Sequence, residues 1–204
     1  MANNPVVHVI DDDEAVRDSL AFLLDCEGMA VRTYESALAF LDDTTRREAG
    51  CIVTDVRMPG MTGLDLVRRL AALGVKDPVI VITGHADVPL AVQAMKAGVS
   101  DFIEKPFDNE LLLGAIGRAL SESRDRQERD EESRAVAARI DALSGRERQV
   151  LDALVEGKPN KIIAFDLGIS ARTVEIYRAN VMSKMGAGSL SELVRMALLA
   201  GRAL

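Results

Sequence analysis

Long apolar runs and cysteines are scarce in this chain of 204 residues. No run of about 18 apolar residues, the length that a membrane span needs, occurs anywhere, and no basic and apolar leader follows Met1. The two cysteines, Cys26 and Cys51, have neither a metal-binding spacing nor the number that a disulfide framework requires. We therefore expect a cytoplasmic protein without a membrane partner, whose two cysteines lie in the core.

The chain also has fewer basic than acidic side chains, 25 against 32. The deficit is uneven along the chain. Residues 1–120 carry 19 acids and 11 bases, residues 121–143 carry 7 and 5, and residues 144–204 carry 6 and 9. Only the last segment has a positive net charge, so any binding of a polyanion such as nucleic acid is predicted there.

The first 120 residues alternate short β-branched runs with stretches of helical period. The runs lie at residues 6–10, 30–34, 51–54, 79–82 and 99–103. Apolar residues at helical spacing lie between and after them, as at Val16, Leu20 and Leu23. Five such βα pairs predict a doubly wound, flavodoxin-like (βα)5 domain with parallel strands in the order 2-1-3-4-5.

Polar residues follow four of the five predicted strands. Asp11 and Asp12 follow the first, Asp55 the third, Thr83 the fourth and Lys105 the fifth. Because the carboxyl ends of parallel strands face one crevice, we expect these side chains to converge. Bound Mg²⁺ relieves the repulsion among neighbouring carboxylates. It is usually coordinated by one or two carboxylates, and water and phosphate oxygens are its other ligands. The pattern predicts a magnesium site. If Asp55 becomes an acyl phosphate there, Thr83 and Lys105 can contact its phosphoryl oxygens.

Residues 121–143 are predicted to form a charged linker. From Ser121 to Arg134 there is no apolar residue, so this part cannot build a core. Acid–base pairs four residues apart, such as Glu122 with Arg126, favour a helix. We expect the fifth helix of the α/β domain to continue through this segment as a solvated spacer, with a disordered linker as the alternative.

Residues 144–204 contain four helix signals in close order. Ser144 and Glu147 form a capping box at the start of the first helix. Gly168 ends the second helix, and Ser170 is placed to cap the third. Two short helices joined in this way are typical of a helix-turn-helix, so we expect an all-α, four-helix domain.

The third of these helices is predicted to carry a nucleic-acid recognition face. Val174, Val181 and Met185 recur at helical spacing and should face the core. The opposite face and its surroundings hold the candidate DNA-binding residues, namely Lys161, Arg172, Thr173, Glu175, Ile176, Arg178, Ala179, Asn180 and Lys184. Ile176 suits a thymine methyl group and Asn180 suits adenine, whereas the basic residues suit phosphates. A helical protein-interaction domain is the alternative.

The segment Thr54–Gly63, taken with the acidic pair, Thr83 and Lys105, resembles the receiver domain of two-component response regulators. The resemblance covers residues 5–120. It implies that a sensor histidine kinase phosphorylates Asp55 and that Thr83 and Lys105 contact the phosphoryl group. It also implies a set of Mg²⁺ ligands, namely Asp11, Asp12, Asp55 and the main-chain carbonyl of Arg57.

Phe102 stands where receiver domains usually carry Tyr or Phe. The resemblance implies that Thr83 moves toward a phosphorylated Asp55 and that Phe102 packs into the vacated space, which couples the site to the fourth helix. A permanently buried Phe102 is the alternative. Close relatives dimerise through that helix when phosphorylated, and Val92 and Lys96 are the candidate dimer contacts.

Residues 141–202 resemble the LuxR-type helix-turn-helix. The similar segments are Leu143–Leu151, Pro159–Ala164 and Ser170–Glu175. Together with the receiver, they place the chain in the NarL/FixJ class, and Arg172–Met185 is most similar to the FixJ branch. That resemblance implies a FixL-like sensor kinase, double-stranded DNA and RNA polymerase as partners, a homodimer when phosphorylated, and activation of nitrogen-fixation genes.

Two other functions are compatible with an aspartyl phosphate. Phosphatases of that chemistry commonly carry a second carboxylate two residues after the nucleophile, whereas Val56 and Arg57 follow Asp55 here. A phosphate sink that binds no DNA does not account for Ile176 and Asn180. We therefore expect no enzyme but a transcriptional activator, in which the unphosphorylated receiver restrains the DNA-binding domain.

Overall fold

The computed structural model describes residues 5–43, 48–84 and 88–201 and divides the chain into two compact units, Met1–Asp125 and Arg126–Leu204. The first unit alternates strands and helices, as the sequence predicts. Its elements are β1 Val6–Ile10, α1 Glu14–Cys26, β2 Ala30–Tyr34, α2 Ala37–Asp43, β3 Gly50–Asp55, α3 Gly63–Ala72, β4 Val79–Thr83, α4 Val88–Lys96, β5 Asp101–Glu104 and the start of α5, Asn109–Asp141.

All five strands pair in parallel in the order β2-β1-β3-β4-β5, so the predicted doubly wound, flavodoxin-like fold is confirmed. Successive strand residues face opposite sides of the sheet. Ile10, Ile52 and Val81 pack with α2, α3 and α4 on one side, whereas Val9 and Ile82 pack with α1 and α5 on the other. Helices cover both faces, which explains why the inner strands are almost entirely apolar.

The two cysteines differ in burial. Cys51 is buried in β3, and burial raises the pKa of its thiol to about 12. Cys26 is exposed, so the prediction that it lies in the core is wrong. Helix α1 buries Leu20 and Leu24, and a residue two positions beyond Leu24 points about 200° around the helix, away from that face.

Helix α5 is continuous over 33 residues and includes residues 121–141 of the predicted linker. Its first turns bury Leu112 and Ile116 beneath the sheet. Near its other end, Val136 and Ile140 are buried in the core of the second unit, together with Leu143. The second unit therefore includes the end of the predicted linker, because these apolar residues at i, i+4 and i+7 supply an inward face.

The second unit completes its fold with α6 Gly145–Val155, α7 Asn160–Leu167, α8 Ala171–Met185 and α9 Leu190–Leu199. The predicted capping box of Ser144 and Glu147 is present at α6. Gly168, with a φ of 65°, ends α7 in the left-handed region, where glycine is favoured. Among the described residues, no helix is both long and apolar enough to cross a membrane.

Candidate functional site

The predicted crevice forms where β1, β3 and β5 end. The parallel register pairs Ile10 with Thr54, so the residues that follow, Asp11 and Asp55, lie side by side. The backbone N–H of Lys105 donates to the carbonyl of Thr83 at 2.8 Å, so Lys105 begins at the same edge of the sheet as the two aspartates. The Nζ atom of Lys105 lies 2.9 Å from an Oδ of each aspartate.

Each of these carboxylates accepts a second hydrogen bond from the backbone. The N–H of Asp13 donates to Oδ1 of Asp11 at 3.0 Å, and the N–H of Arg57 donates to Oδ2 of Asp55. The Asp11 side chain is 6% exposed and that of Asp55 is 11% exposed. Asp55 is therefore held in a fixed orientation while an edge of its carboxylate stays accessible.

Lys105 keeps its charge at this site. Burial by itself lowers the pKa of Lys105, but hydrogen bonds to Asp11 and Asp55 outweigh that effect and raise the pKa above its usual 10.5. The Lys105 side chain is 26% exposed. It can therefore move from a carboxylate to another anion at the mouth of the crevice.

The third predicted carboxylate does not join the other two. Asp12 is exposed, and among the described residues no three His, Cys, Asp or Glu side chains are grouped to hold a metal ion. β1 ends at Ile10, and Asp12 lies in a bend beyond it, where its side chain is exposed while Asp11 is buried. Asp11 and Asp55 still supply the hard oxygen donors that Mg²⁺ prefers, and it takes only one or two carboxylates. This donor set fits the predicted ion.

Thr83 and Phe102 lie on the same face of the sheet. Thr83, at the end of β4, is 1% exposed. Phe102 pairs in register with Val81, two residues before Thr83, and packs partly buried on the cluster that includes Val81 and Ala94. Phe102 is therefore not fully buried, and it stands between the crevice and α4.

The candidate dimer residues Val92 and Lys96 are both exposed on α4. Val92 is 46% exposed, and its neighbours Val88 and Met95 are 77% and 57% exposed. Apolar side chains at this exposure on one helix are typical of a surface that another protein covers.

In the second unit, α8 presents one exposed face. The exposed members of the predicted DNA-binding set are Lys161, Arg172, Glu175, Ile176, Ala179, Asn180 and Lys184. Val174, Val181 and Met185 are fully buried on the opposite side of the helix. Ile176 is 56% exposed, which is unusual for isoleucine and agrees with an apolar contact to a ligand.

Three of the predicted contacts are partly buried or already have a partner within the protein. Arg178 and Thr173 are partly buried, and Oγ1 of Thr173 lies 2.8 Å from Oγ of Ser170 within the helix cap. Lys184 donates from Nζ to Oε2 of Glu147 at 2.7 Å. The Glu147 side chain is 5% exposed, and its hydrogen bonds from Lys184 and the Ser144 backbone lower its pKa to about 2.

The sequence indicates a capping role for Glu147 and no other. Its ion pair with Lys184 joins positions 37 residues apart, on α6 and α8. A local motif cannot reveal such a pair, because it depends on how the two helices pack.

Comparisons with known proteins match both units. Residues 7–117 match the response regulator receiver domain, and residues 141–197 match the bacterial regulatory proteins of the luxR family. Over 195 residues, the chain is 60% identical to transcriptional regulatory protein FixJ of Azorhizobium caulinodans. That alignment covers 96% of this chain and 92% of the relative.

Two solved structures are similar over nearly the whole chain. Full-length FixJ from B. japonicum is 48% identical, with a TM-score of 0.63 and 100% of both chains covered. The response regulator StyR is 40% identical, with a TM-score of 0.83 and coverage of 96% of this chain and 99% of the other.

Proposed function

Since the chain belongs to the FixJ-like response regulators, transcription regulators that carry a receiver domain and a LuxR-type DNA-binding domain, we propose that phosphorylation of Asp55 controls its binding to promoter DNA. The observation that carries this proposal is the ammonium of Lys105, placed 2.9 Å from both Asp11 and Asp55. The family consists of regulators and not of classical enzymes. The only chemistry that we assign to the chain is the gain and loss of its own phosphoryl group.

The phosphoryl donor is the phosphohistidine of a sensor histidine kinase, and the resemblance to the FixJ branch implies that this kinase is FixL-like. An Oδ atom of Asp55 attacks the phosphorus atom, a P–O bond forms, the P–N bond breaks, and the histidine nitrogen takes up a proton. Asp11 and Asp55, with the Arg57 carbonyl, would hold Mg²⁺, which would supply positive charge beside the transferred group.

Lys105 changes partners during this step. Formation of the acyl phosphate removes the negative charge of the Asp55 carboxylate, so the ammonium keeps Asp11 and turns from Asp55 to a phosphoryl oxygen. The hydroxyl of Thr83 donates to a second phosphoryl oxygen. Both contacts exist only after phosphorylation, and their free energy is what stabilises the active conformation.

Phe102 carries the change to the surface. When Thr83 moves toward the phosphoryl group, Phe102 moves from its partly buried position into the vacated space behind β4. Because Phe102 has no hydroxyl group, the switch is a packing change alone. The surface of α4 that contains Val92 and Lys96 then pairs with a second copy.

Dimerisation supplies the affinity that the weakly basic second unit lacks. Two copies of α8 can occupy successive major grooves of double-stranded DNA, where Ile176 and Asn180 contact bases. We expect the unphosphorylated receiver to restrain this unit, and the active dimer to recruit RNA polymerase at nitrogen-fixation-type promoters. The relatives named FixJ support these targets.

Mass spectrometry of the intact chain tests the phosphorylation step. After incubation with acetyl phosphate and Mg²⁺, the wild type should gain the mass of one phosphoryl group, and Asp55→Asn should gain none. Asp65→Asn, which removes an exposed carboxylate on α3, is the matched control and should gain it as the wild type does. Modification of Asp55→Asn to the same extent would contradict the assignment.

A further inference from the structure

Side chains from two other helices hold the last turn of α8. Lys184 Nζ lies 2.7 Å from Oε2 of Glu147, which belongs to the first turn of α6. On the other side, NH1 of Arg139, in the last turn of α5, donates to the carbonyl oxygen of Met185 at 2.8 Å. We call these four residues the α8 clamp.

The Glu147 side of the clamp is an ion pair between a nearly buried carboxylate and an ammonium whose side chain is 46% exposed. Oε2 of Glu147 accepts from Lys184 and also from the backbone N–H of Ser144 at 2.8 Å. Loss of Lys184 would leave a carboxylate that is 5% exposed without its cation, which is costly at a site with little access to water. The pair directs the Lys184 ammonium toward α6, and the Glu147 carboxylate offsets the charge that Lys184 could offer to a DNA phosphate.

The Arg139 side satisfies the end of the helix. The last carbonyls of a helix have no partner within it, and a cation there also interacts favourably with the helix dipole. Gly186 follows Met185 with a φ of 69°, and a Cβ atom at Gly186 would lie 3.4 Å from NH1 of Arg139. Glycine thus both allows the left-handed turn and leaves room for the guanidinium.

The clamp lies close to the residues that face DNA. Asn180 is one helical turn before Lys184, about 6 Å along the axis. Hydrogen bonds to base edges weaken steeply when distances or angles change by a few tenths of an ångström or some tens of degrees. A shift of the last turn would therefore move Asn180 and Ile176 out of register with the bases.

We propose that Arg139, Glu147 and Lys184 are positioning residues that fix the recognition helix α8 for sequence-specific DNA binding, and that Lys184 is not a phosphate contact. This inference rests on the proposed function, because it concerns how the same DNA face is held. It reassigns one residue of the predicted DNA-binding set. It also gives Arg139, outside the predicted motif, a role in specificity.

The test compares specific with non-specific DNA binding. The full chain, phosphorylated with acetyl phosphate and Mg²⁺, selects a duplex from a random library. The dissociation constants of Lys184→Met, Glu147→Gln and Arg139→Met are then measured for that duplex and for an unselected one, over a range of salt concentrations. Thermal melts identify an assay temperature at which every variant is folded.

We expect each clamp variant to bind the selected duplex at least about ten-fold more weakly, since one well-aligned base contact is worth about that much. Non-specific affinity and the salt dependence should stay as in the wild type. Lys184→Arg and Arg139→Lys, which keep the hydrogen bonds, should retain specific binding. Lys161→Met, which removes an exposed lysine of α7, is the phosphate-contact control and should lower the salt slope by about one.

Glu147→Gln separates the two explanations most clearly. It makes the second unit more basic, so an effect of charge alone would tighten binding to every duplex. If Glu147 instead positions α8, the variant should bind the selected duplex more weakly. Tighter binding to both duplexes, or a lower salt slope in Lys184→Met, would overturn the clamp while leaving the proposed function intact. If the phosphorylated wild type selects no duplex, both proposals fail.

Discussion

The Nζ atom of Lys105 lies 2.9 Å from Oδ1 of Asp55, although the two residues are 50 positions apart. The same ammonium lies 2.9 Å from Oδ2 of Asp11. A protein cation thus already occupies the space between the two carboxylates that would hold a metal ion. Binding of the metal and phosphorylation both have to draw Lys105 away from at least one of these partners.

The first prediction follows from this competition. Lys105→Met should tighten Mg²⁺ binding about ten-fold, equivalent to about 1.4 kcal/mol, because a competing positive charge leaves the site. It should also slow phosphorylation by acetyl phosphate. Isothermal titration calorimetry measures the affinity, with Lys96→Met on exposed α4 as the matched control. Unchanged or weaker Mg²⁺ binding by Lys105→Met would show that the ammonium does not compete.

The second prediction concerns the pH dependence of stability. The pKa of Glu147 falls from 4.5 when unfolded to about 2 when folded, so its ion pair stabilises the native state above pH 4.5. That contribution should disappear as the pH falls toward 2. Thermal melts of the wild type and Glu147→Gln should therefore differ most near neutral pH and converge in acid. A difference that stays constant over this range would contradict the lowered pKa.

The third prediction tests whether the end of α5 belongs to the second core. Ile140 is 4% exposed, so Ile140→Ala should destabilise the second unit by about 2–5 kcal/mol, as loss of buried methyl groups usually does. Glu132→Ala, on the exposed side of the same helix, should change stability by less than about 0.5 kcal/mol. Urea unfolding followed by circular dichroism measures both. Equal effects would mean that α5 is only a spacer there.

The fourth prediction concerns the α4 surface. Val92→Asp places a charge in the proposed dimer contact, so the phosphorylated variant should sediment as a monomer while the phosphorylated wild type sediments as a dimer. The matched control is Phe22→Asp on α1, where the replaced side chain is 73% exposed. That control should still dimerise with acetyl phosphate as donor. A dimer of Val92→Asp at wild-type affinity would place the contact elsewhere.

The strand-end site could be predicted because its determinants are local. β-branched runs give the strands, and parallel strands bring Asp11, Asp55 and Lys105 to one edge whatever their distance in sequence. Asp12 was expected with Asp11 and Asp55, and the structure shows it exposed in the bend after β1, so its role as an Mg²⁺ ligand stays a prediction. Cys26 was expected in the core because it lies in a helical pattern. It is exposed because the inner face of α1 is formed by Leu20 and Leu24.

The contacts in the second unit could not be predicted in the same way. The pairs Glu147–Lys184 and Arg139–Met185 join residues 37 and 46 positions apart on helices whose crossing no local pattern specifies. Lys184 was therefore expected at DNA, as exposed lysines near a recognition helix often are. Arg139 lies in a segment whose composition indicated only a solvated spacer.

The central claim, that phosphorylation of Asp55 controls DNA binding, is tested most directly by one titration. The wild type and Asp55→Asn are each titrated with the selected duplex, with and without acetyl phosphate and Mg²⁺. We predict that the donor tightens binding by the wild type and leaves binding by Asp55→Asn unchanged. Equal, donor-responsive binding by both chains would contradict the account.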